Sequence, residues 1–307
     1  MNAEKLRSQR ELNLIDSSLD GPLNANSLNI DGDLLIDRAR LKEVNLNNAK
    51  MKGSFSANGS SIYGSFNANG LQIDGDFTIA VDDYNPSTFK MVFMNNVKVN
   101  GNLNIAGASI NGTLFATMLR VGGNLSIASV PEDLKEFAQR YGVAVSEPRS
   151  SQANFKSIIL IGSAVEGNLY MYGPVLDGEF SAAALRVGGS MYMRNAQCLG
   201  EVDLNMVHIG GNLDLNGATL TAGFDLSSAS IGGDLQLGGG YKSAVWQGNN
   251  AVLYLRNARI GNLVDATDAW PGPGRLHLDG FPFSHLGGSN GATGQDMRKR
   301  GATWWDD

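Results

Sequence analysis

The chain has one cysteine in 307 residues, so it can form no internal disulfide, and it fits a reducing compartment. Histidine is almost as scarce. His208, His277 and His285 are scattered, and together with Cys198 they make no cluster at metal-ligand or iron–sulfur spacing. No apolar run approaches the roughly 20 residues of a membrane-spanning helix, and residues 1–18 are too polar for a secretory leader. Charge is modest, with 24 Lys and Arg against 30 Asp and Glu for a net of −6. That balance lacks the basic stripe expected of a protein that binds a phosphate backbone. Nucleotide and hydrolase signatures are missing as well. No Gly-x-Gly-x-x-Gly opens a helix after a strand, Gly238-Gly-Gly240 has no such context, and there is no Gly-x-Ser-x-Gly elbow. These absences predict no cofactor, no metal and no catalytic centre of a familiar kind.

Glycine, by contrast, is abundant at 39 residues, and its placement is periodic. An eleven-residue unit, Gly-x-[Leu/Phe]-x-[Leu/Ile/Ala]-x-x-[Ala/Ser/Leu]-x-[Ile/Val/Leu]-x, recurs eighteen times across residues 10–262, and fourteen of those units begin with Gly. Apolar residues sit two apart, as in Leu213 with Leu215 and Ala218 with Leu220, so each unit holds two very short strands rather than a helical stripe. Such strands cannot bury a face alone, and successive units must stack. Leu-Arg-Val-Gly-Gly at 119–123 returns at 185–189, and Ile-Gly-Gly at 209–211 returns at 231–233, so the echoes fall at multiples of about twenty-two residues. The expected fold is all-β: a parallel four-sided β-helix of about nine 22-residue coils forming one elongated domain. The crossover rule favours a right-handed wind, short-repeat solenoids including left-handed exceptions. On this reading the glycines supply a corner conformation that residues with a Cβ enter at a cost.

The repeat is broken near residues 80–91, 128–160 and 238–250. The middle insertion contains Pro131-Glu-Asp-Leu-Lys-Glu-Phe-Ala-Gln-Arg-Tyr-Gly142, which predicts a short inserted α-helix with Leu134, Phe137, Ala138 and Tyr141 on one face. Residues 1–9 and 263–307 are expected to cap the exposed ends of the β-helix at 10–262.

The units exemplified by Ile209-Gly-Gly-Asn-Leu-Asp-Leu-Asn-Gly-Ala218, with Leu276-His-Leu-Asp-Gly-Phe281 and a Trp near the end, resemble a bacterial family of eleven-residue-repeat proteins often labelled "membrane-associated oxidoreductase". The resemblance covers about Leu12 to Trp305. Relatives continue into a helical region with a Pro-Gln-Pro-Tyr-Glu-Gln-like motif and sometimes hydrophobic helices, before which this chain stops at Asp307. The resemblance therefore implies the soluble repeat module of a larger bacterial protein, or a naturally short form. It implies a cytoplasmic location, with inner-membrane association only through regions outside this chain. A looser likeness links the chain to pentapeptide-repeat proteins, whose period is five.

Stacking alternate units places the outward fourth positions in columns. One is expected to read Phe115, Tyr170, Tyr192, Asp214, Gln236, flanked by Tyr172 and Arg194. Stacked rings beside an Arg suit a sugar, a peptide or a ring-bearing ligand. They equally suit cover by the chain's own tail or ordinary ladder pairing. The other column is expected to read Asn24, Asn45, Asn67, Asn104, Ser126, Ser181, Asp203, Asp225. Asp203 and Asp225, one coil apart, are the only stacked carboxylates it contains, and they are the candidates for glycan chemistry. Cys198 occupies an inward position and reads as a packed thiol. The leading functional expectation is a non-catalytic scaffold that presents a rigid surface to a protein partner or to copies of itself. A carbohydrate-active β-helix using Asp203 and Asp225 is second. An acidic DNA mimic of the pentapeptide-repeat kind is third.

Overall fold

A computed structural model describes residues 1–3, 7–8, 11–82, 85–129, 152–239 and 242–281. The described residues contain parallel strands and no helix, and they divide into two compact units, Met1–Lys156 and Ser157–Asp307. The expected helix over 131–142 lies outside the described residues, as does His285. Each unit is a parallel β-solenoid built from two-residue strands, four to a turn, with register offsets that centre on 22 residues; Leu169↔Met191↔Leu213↔Leu235 is one such row.

The core follows directly from the two-residue alternation. Leu213, Leu215, Ala218 and Leu220 are all buried, and of the residues between them Asn216, Gly217 and Thr219 are partly exposed while Asp214 is covered on the outer face. In the Met1–Lys156 unit the inward rows also stack rings. Phe55 lies 4.8 Å from Phe77, and Phe66 meets Phe77 and Phe89 edge-on at 6.0 and 5.9 Å. Each ring buried in this way contributes about 1.5–3 kcal/mol relative to exposure.

The turns number about eleven rather than nine. The additional turns come from units that the expected insertions and tail concealed. The strand Thr88–Phe93 runs through the first insertion, with Val92 in register with both Phe66 and Leu114. Asn154–Ile159 lies in the second, with Ile158 opposite Phe180. Val245–Trp246 lies in the third and pairs with Thr219–Leu220. Past residue 262, Leu276–His277 pairs with Leu253–Tyr254, so the repeat runs on into the expected cap. At the other end Arg7–Ser8 pairs with Asn29–Ile30, so residues assigned to a cap belong to the ladder.

The corners correct the reading of glycine. The left-handed residue of most units sits at position seven, inside the turn that closes from position eight to position five, as Ala218 N–H does on Leu215 O at 2.9 Å. Position seven is Gly217 (φ 72°) there, yet it is Asn195 (φ 54°) and Met206 (φ 56°) elsewhere, so glycine is not demanded. The recurrent Gly-Gly pairs serve another purpose. A Cβ on Gly210 would fall on the carbonyl oxygen of Gly188 one coil below, and one on Gly232 would fall on that of Gly210. Closeness between coils, not φ, excludes side chains there.

Polar side chains close the remaining corners. Corner amides point away from the strand ladders and need another acceptor. Asn168 Oδ1 accepts from Ser190 N–H at 2.7 Å, Ser190 Oγ from Asn212 N–H at 3.0 Å, and Asn212 Oδ1 from Asp234 N–H at 2.8 Å. In the first unit Asn47 Oδ1 accepts from Asn69 N–H, and Asn69 Oδ1 from Asn95 N–H, both at 3.0 Å. The richness in Asn, Asp and Ser is thus largely structural.

Candidate functional site

In the Ser157–Asp307 unit, one side presents the column Tyr170, Tyr192, Asp214, Gln236, in register as the sequence predicts. Tyr170 and Tyr192 stack with centroids 5.5 Å apart and planes 5° apart, because a parallel ladder holds identical side chains in identical orientation. Tyr172, two residues along, lies 5.9 Å from Tyr170 and 5.8 Å from Tyr192, so the three rings form one block. Asn168 Nδ2 donates to the Tyr170 hydroxyl at 2.8 Å.

Below the rings the block is anchored by charge. Arg194 Nε pairs with Asp214, whose side chain is 1% exposed against 35% for Arg194. Asp214 Oδ1 also accepts from Asn216 N–H at 3.0 Å and Asn216 Nδ2 at 2.8 Å. A buried carboxylate with three donors fixes the Arg194 stem beside the tyrosines. The arrangement is a half-exposed platform of rings with a guanidinium at its edge, which offers stacking and cation–π contact to a flat surface.

Phe115, expected in the tyrosine column, belongs to the Met1–Lys156 unit. Within its own unit it sits in the row Asn24, Asn45, Asn67, Phe93, Phe115, and its ring stacks on Phe93 at 5.2 Å. The asparagine column needs a correction. The unit around Val92 moves Asn104 and Ser126 out of it, into a row with Ser56 and Thr78.

Asp203 and Asp225 are in register one coil apart, in a row that runs Ile159, Ser181, Asp203, Asp225. Each spends one oxygen on its own turn: Asp203 Oδ1 accepts from Asn205 N–H at 2.9 Å, and Asp225 Oδ1 from Ser227 N–H at 2.7 Å. The row continues through Tyr254 and His277, which the sequence count missed because the offsets there are 29 and 23 residues. Tyr254 and His277 stack at 4.8 Å, Arg256 lies 5.2 Å over the Tyr254 ring, and it reaches His277 Nδ1 at 3.3 Å and Asp279 at 3.3 Å. The spacing of Tyr254-x-Arg256 to His277-x-Asp279 was the available signal.

Cys198 is buried, and burial pushes its thiol up to about 12. Among the described residues no group of three or more His, Cys, Asp and Glu side chains could hold a metal ion. No helix among them is long and apolar enough to cross a membrane. No family model matches the chain, and no curated protein or solved structure does.

Proposed function

We propose that this chain is a non-catalytic β-helix scaffold whose stiff sides bind a protein partner or a second copy. One observation carries the reading. On one side of the Ser157–Asp307 unit, the half-exposed rings of Tyr170, Tyr172 and Tyr192 form a single block held by Arg194 on the buried carboxylate of Asp214. Pre-ordered aromatics lose little entropy on contact and are common interface anchors. The absence of a nucleotide or flavin signature in the sequence gives the oxidoreductase label of the resembling family no footing. The single, inward-packed cysteine supports a cytoplasmic setting.

The test is Tyr170→Ala with Tyr192→Ala. The double variant should keep its fold by circular dichroism and its melting temperature, and should lose any association that survives high salt, read by sedimentation velocity. A much lower melting temperature with that association intact would make the block purely structural.

A second reading, a carbohydrate-active β-helix using Asp203 and Asp225, draws support from Tyr254, Arg256 and His277 on the same side. It requires polysaccharide cleavage that Asp203→Asn and Asp225→Asn each abolish.

A further inference from the structure

In the Met1–Lys156 unit the coil assembles a basic column that a net charge of −6 conceals. The register Leu19↔Leu41↔Ile62↔Phe89↔Ile110 stacks the corner residues that follow these positions, namely Asp20, Lys42, Tyr63, Lys90 and Asn111. Asn154 N–H donates to Ala108 O at 3.2 Å, as Ser109 N–H does to Ser87 O at 2.9 Å, so Lys156 takes the next place above Asn111. Lysine therefore stands on alternate coils, at 42, 90 and 156, and all three are exposed. Two of them come from the strands that re-enter after insertions, Thr88-Phe-Lys-Met-Val-Phe93 and Asn154-Phe-Lys-Ser-Ile-Ile159, which share the Phe-Lys step. Between the lysines lie Tyr63, at 65% the most exposed large apolar side chain among the described residues, and the exposed amide of Asn111. The backbone under the column is packed close. A Cβ on Gly64 would fall 2.5 Å from Lys42 O, and one on Gly112 would fall 2.5 Å from Lys90 O. The acidic groups beside the column are Asp20 at its foot and Glu43, whose Oε1 accepts from Asn67 Nδ2 at 3.2 Å. Asp16, Asp37 and Asp82 gather around Arg38 at the other edge of that side. Among the described residues Lys42, Lys90 and Lys156 form no ion pair.

We propose that this column binds a linear acidic glycan, one sugar to a coil, with a carboxylate on every second sugar. Spacing and charge select that occupant. Coils rise about 4.8 Å, so successive lysines are about 9.6 Å apart, and an extended β-linked hexose chain advances by close to one coil per sugar. Carboxylates on alternate sugars then meet Lys42, Lys90 and Lys156. The sugars between them lie against the Tyr63 ring and the Asn111 amide, which suit a ring face and hydroxyl groups. The stacked pair Phe93 and Phe115, half-exposed on the next side, extends the apolar shoulder beyond Lys90 and Asn111. A nucleic-acid strand carries a charge on every nucleotide and would bring phosphates to Tyr63 and Asn111 as well, where no cation stands. Each exposed charge contact is weak alone, and three on one polymer act together. The column lies in the other unit from Tyr170 and Tyr192 and does not rest on the scaffold reading.

Isothermal titration calorimetry of the full chain with hyaluronan fragments, whose carboxylates fall on every second sugar, tests this at about 0.01 M salt, where the screening length is about 30 Å. Binding is expected there and its loss at about 1 M, where the screening length is about 3 Å. Lys90→Ala with Lys156→Ala, and separately Tyr63→Ala, should each weaken binding about tenfold. These three side chains make no hydrogen bond or ion pair among the described residues, so the melting temperature should stay unchanged. Tyr170→Ala with Tyr192→Ala should bind as wild type does. Wild-type protein that does not bind hyaluronan, or column variants that bind it as tightly as wild type, would overturn the proposal. So would tighter binding of oligothymidylate or polyglutamate that the same variants lose, which would make the column a site for nucleic acid or for acidic peptide. Binding lost with the two tyrosines and kept in the column variants would place the glycan on the tyrosine block and overturn it as well.

Discussion

Gly210→Ala is the sharpest probe of how the coils stack. Gly210 has a φ outside the left-handed region, so an alanine there meets no conformational penalty, and any loss of stability reports steric exclusion alone. Its new Cβ would fall on the carbonyl oxygen of Gly188, part of a backbone that cannot rotate away. Restoring van der Waals separation requires the coils to part locally by about an ångström. That stretches Gly210 N–H···O Val187 from 2.9 Å and Gly211 N–H···O Gly189 from 2.8 Å past the limit for a hydrogen bond. Two bonds at about 1 kcal/mol each, together with strain from overpacking, give a loss of about 2–4 kcal/mol. Gly21→Ala is the control. Its Cβ would meet nothing within 4 Å, so it should be neutral or stabilising by up to about 1 kcal/mol through the unfolded chain. Urea unfolding followed by circular dichroism measures both. A Gly210→Ala midpoint within about 0.5 kcal/mol of wild type would refute steric exclusion as the reason for glycine.

Two further outcomes follow from burial. Leu213→Asp puts a charge into a fully buried row and should cost about 4 kcal/mol or more. Asn67→Ser loses the amide's bonds to Asn45 at 2.7 Å and to Glu43 at 3.2 Å and should cost about 1–2 kcal/mol; similar melting temperatures for the two would put the register in error. Cys198 should resist alkylation until the protein is denatured. Its folded pKa of about 12 lies above the ordinary thiol value of about 8.5, so the folded state keeps a proton that the unfolded chain sheds. The resulting stabilisation is complete below about pH 8.5 and is lost up to about pH 12 at about 1.4 kcal/mol per pH unit. Cys198→Ala should remove that component from the urea midpoint's pH dependence, and an unchanged dependence would mean the thiol is not buried.

By itself the sequence determined the class of fold. Apolar residues two apart, repeated every eleven, leave no helical face to bury and compel stacked two-residue strands, and the doubled period was readable in echoes such as Ile209-Gly-Gly and Ile231-Gly-Gly. It also put Tyr170 over Tyr192, and Asp203 over Asp225, because no insertion separates those pairs. What only the tertiary structure decided is where the count breaks. A parallel ladder tolerates extra residues at a corner so long as the next strand regains register, so Thr88–Phe93 and Asn154–Ile159 rejoin the stack although their Gly signature is gone. Each such unit adds half a turn and exchanges the sides of everything after it. That exchange set Phe115 in register with Phe93, and moved Asn104 away from Asn67 into register with Thr78. The offsets of 29 and 23 residues that brought Tyr254 and His277 to Asp225 likewise belong to pairing between distant strands, where backbone hydrogen bonds, not sequence spacing, set the register. The reason for glycine lay there too, since the carbonyl of Gly188 beneath Gly210 is a neighbour only once the chain has coiled.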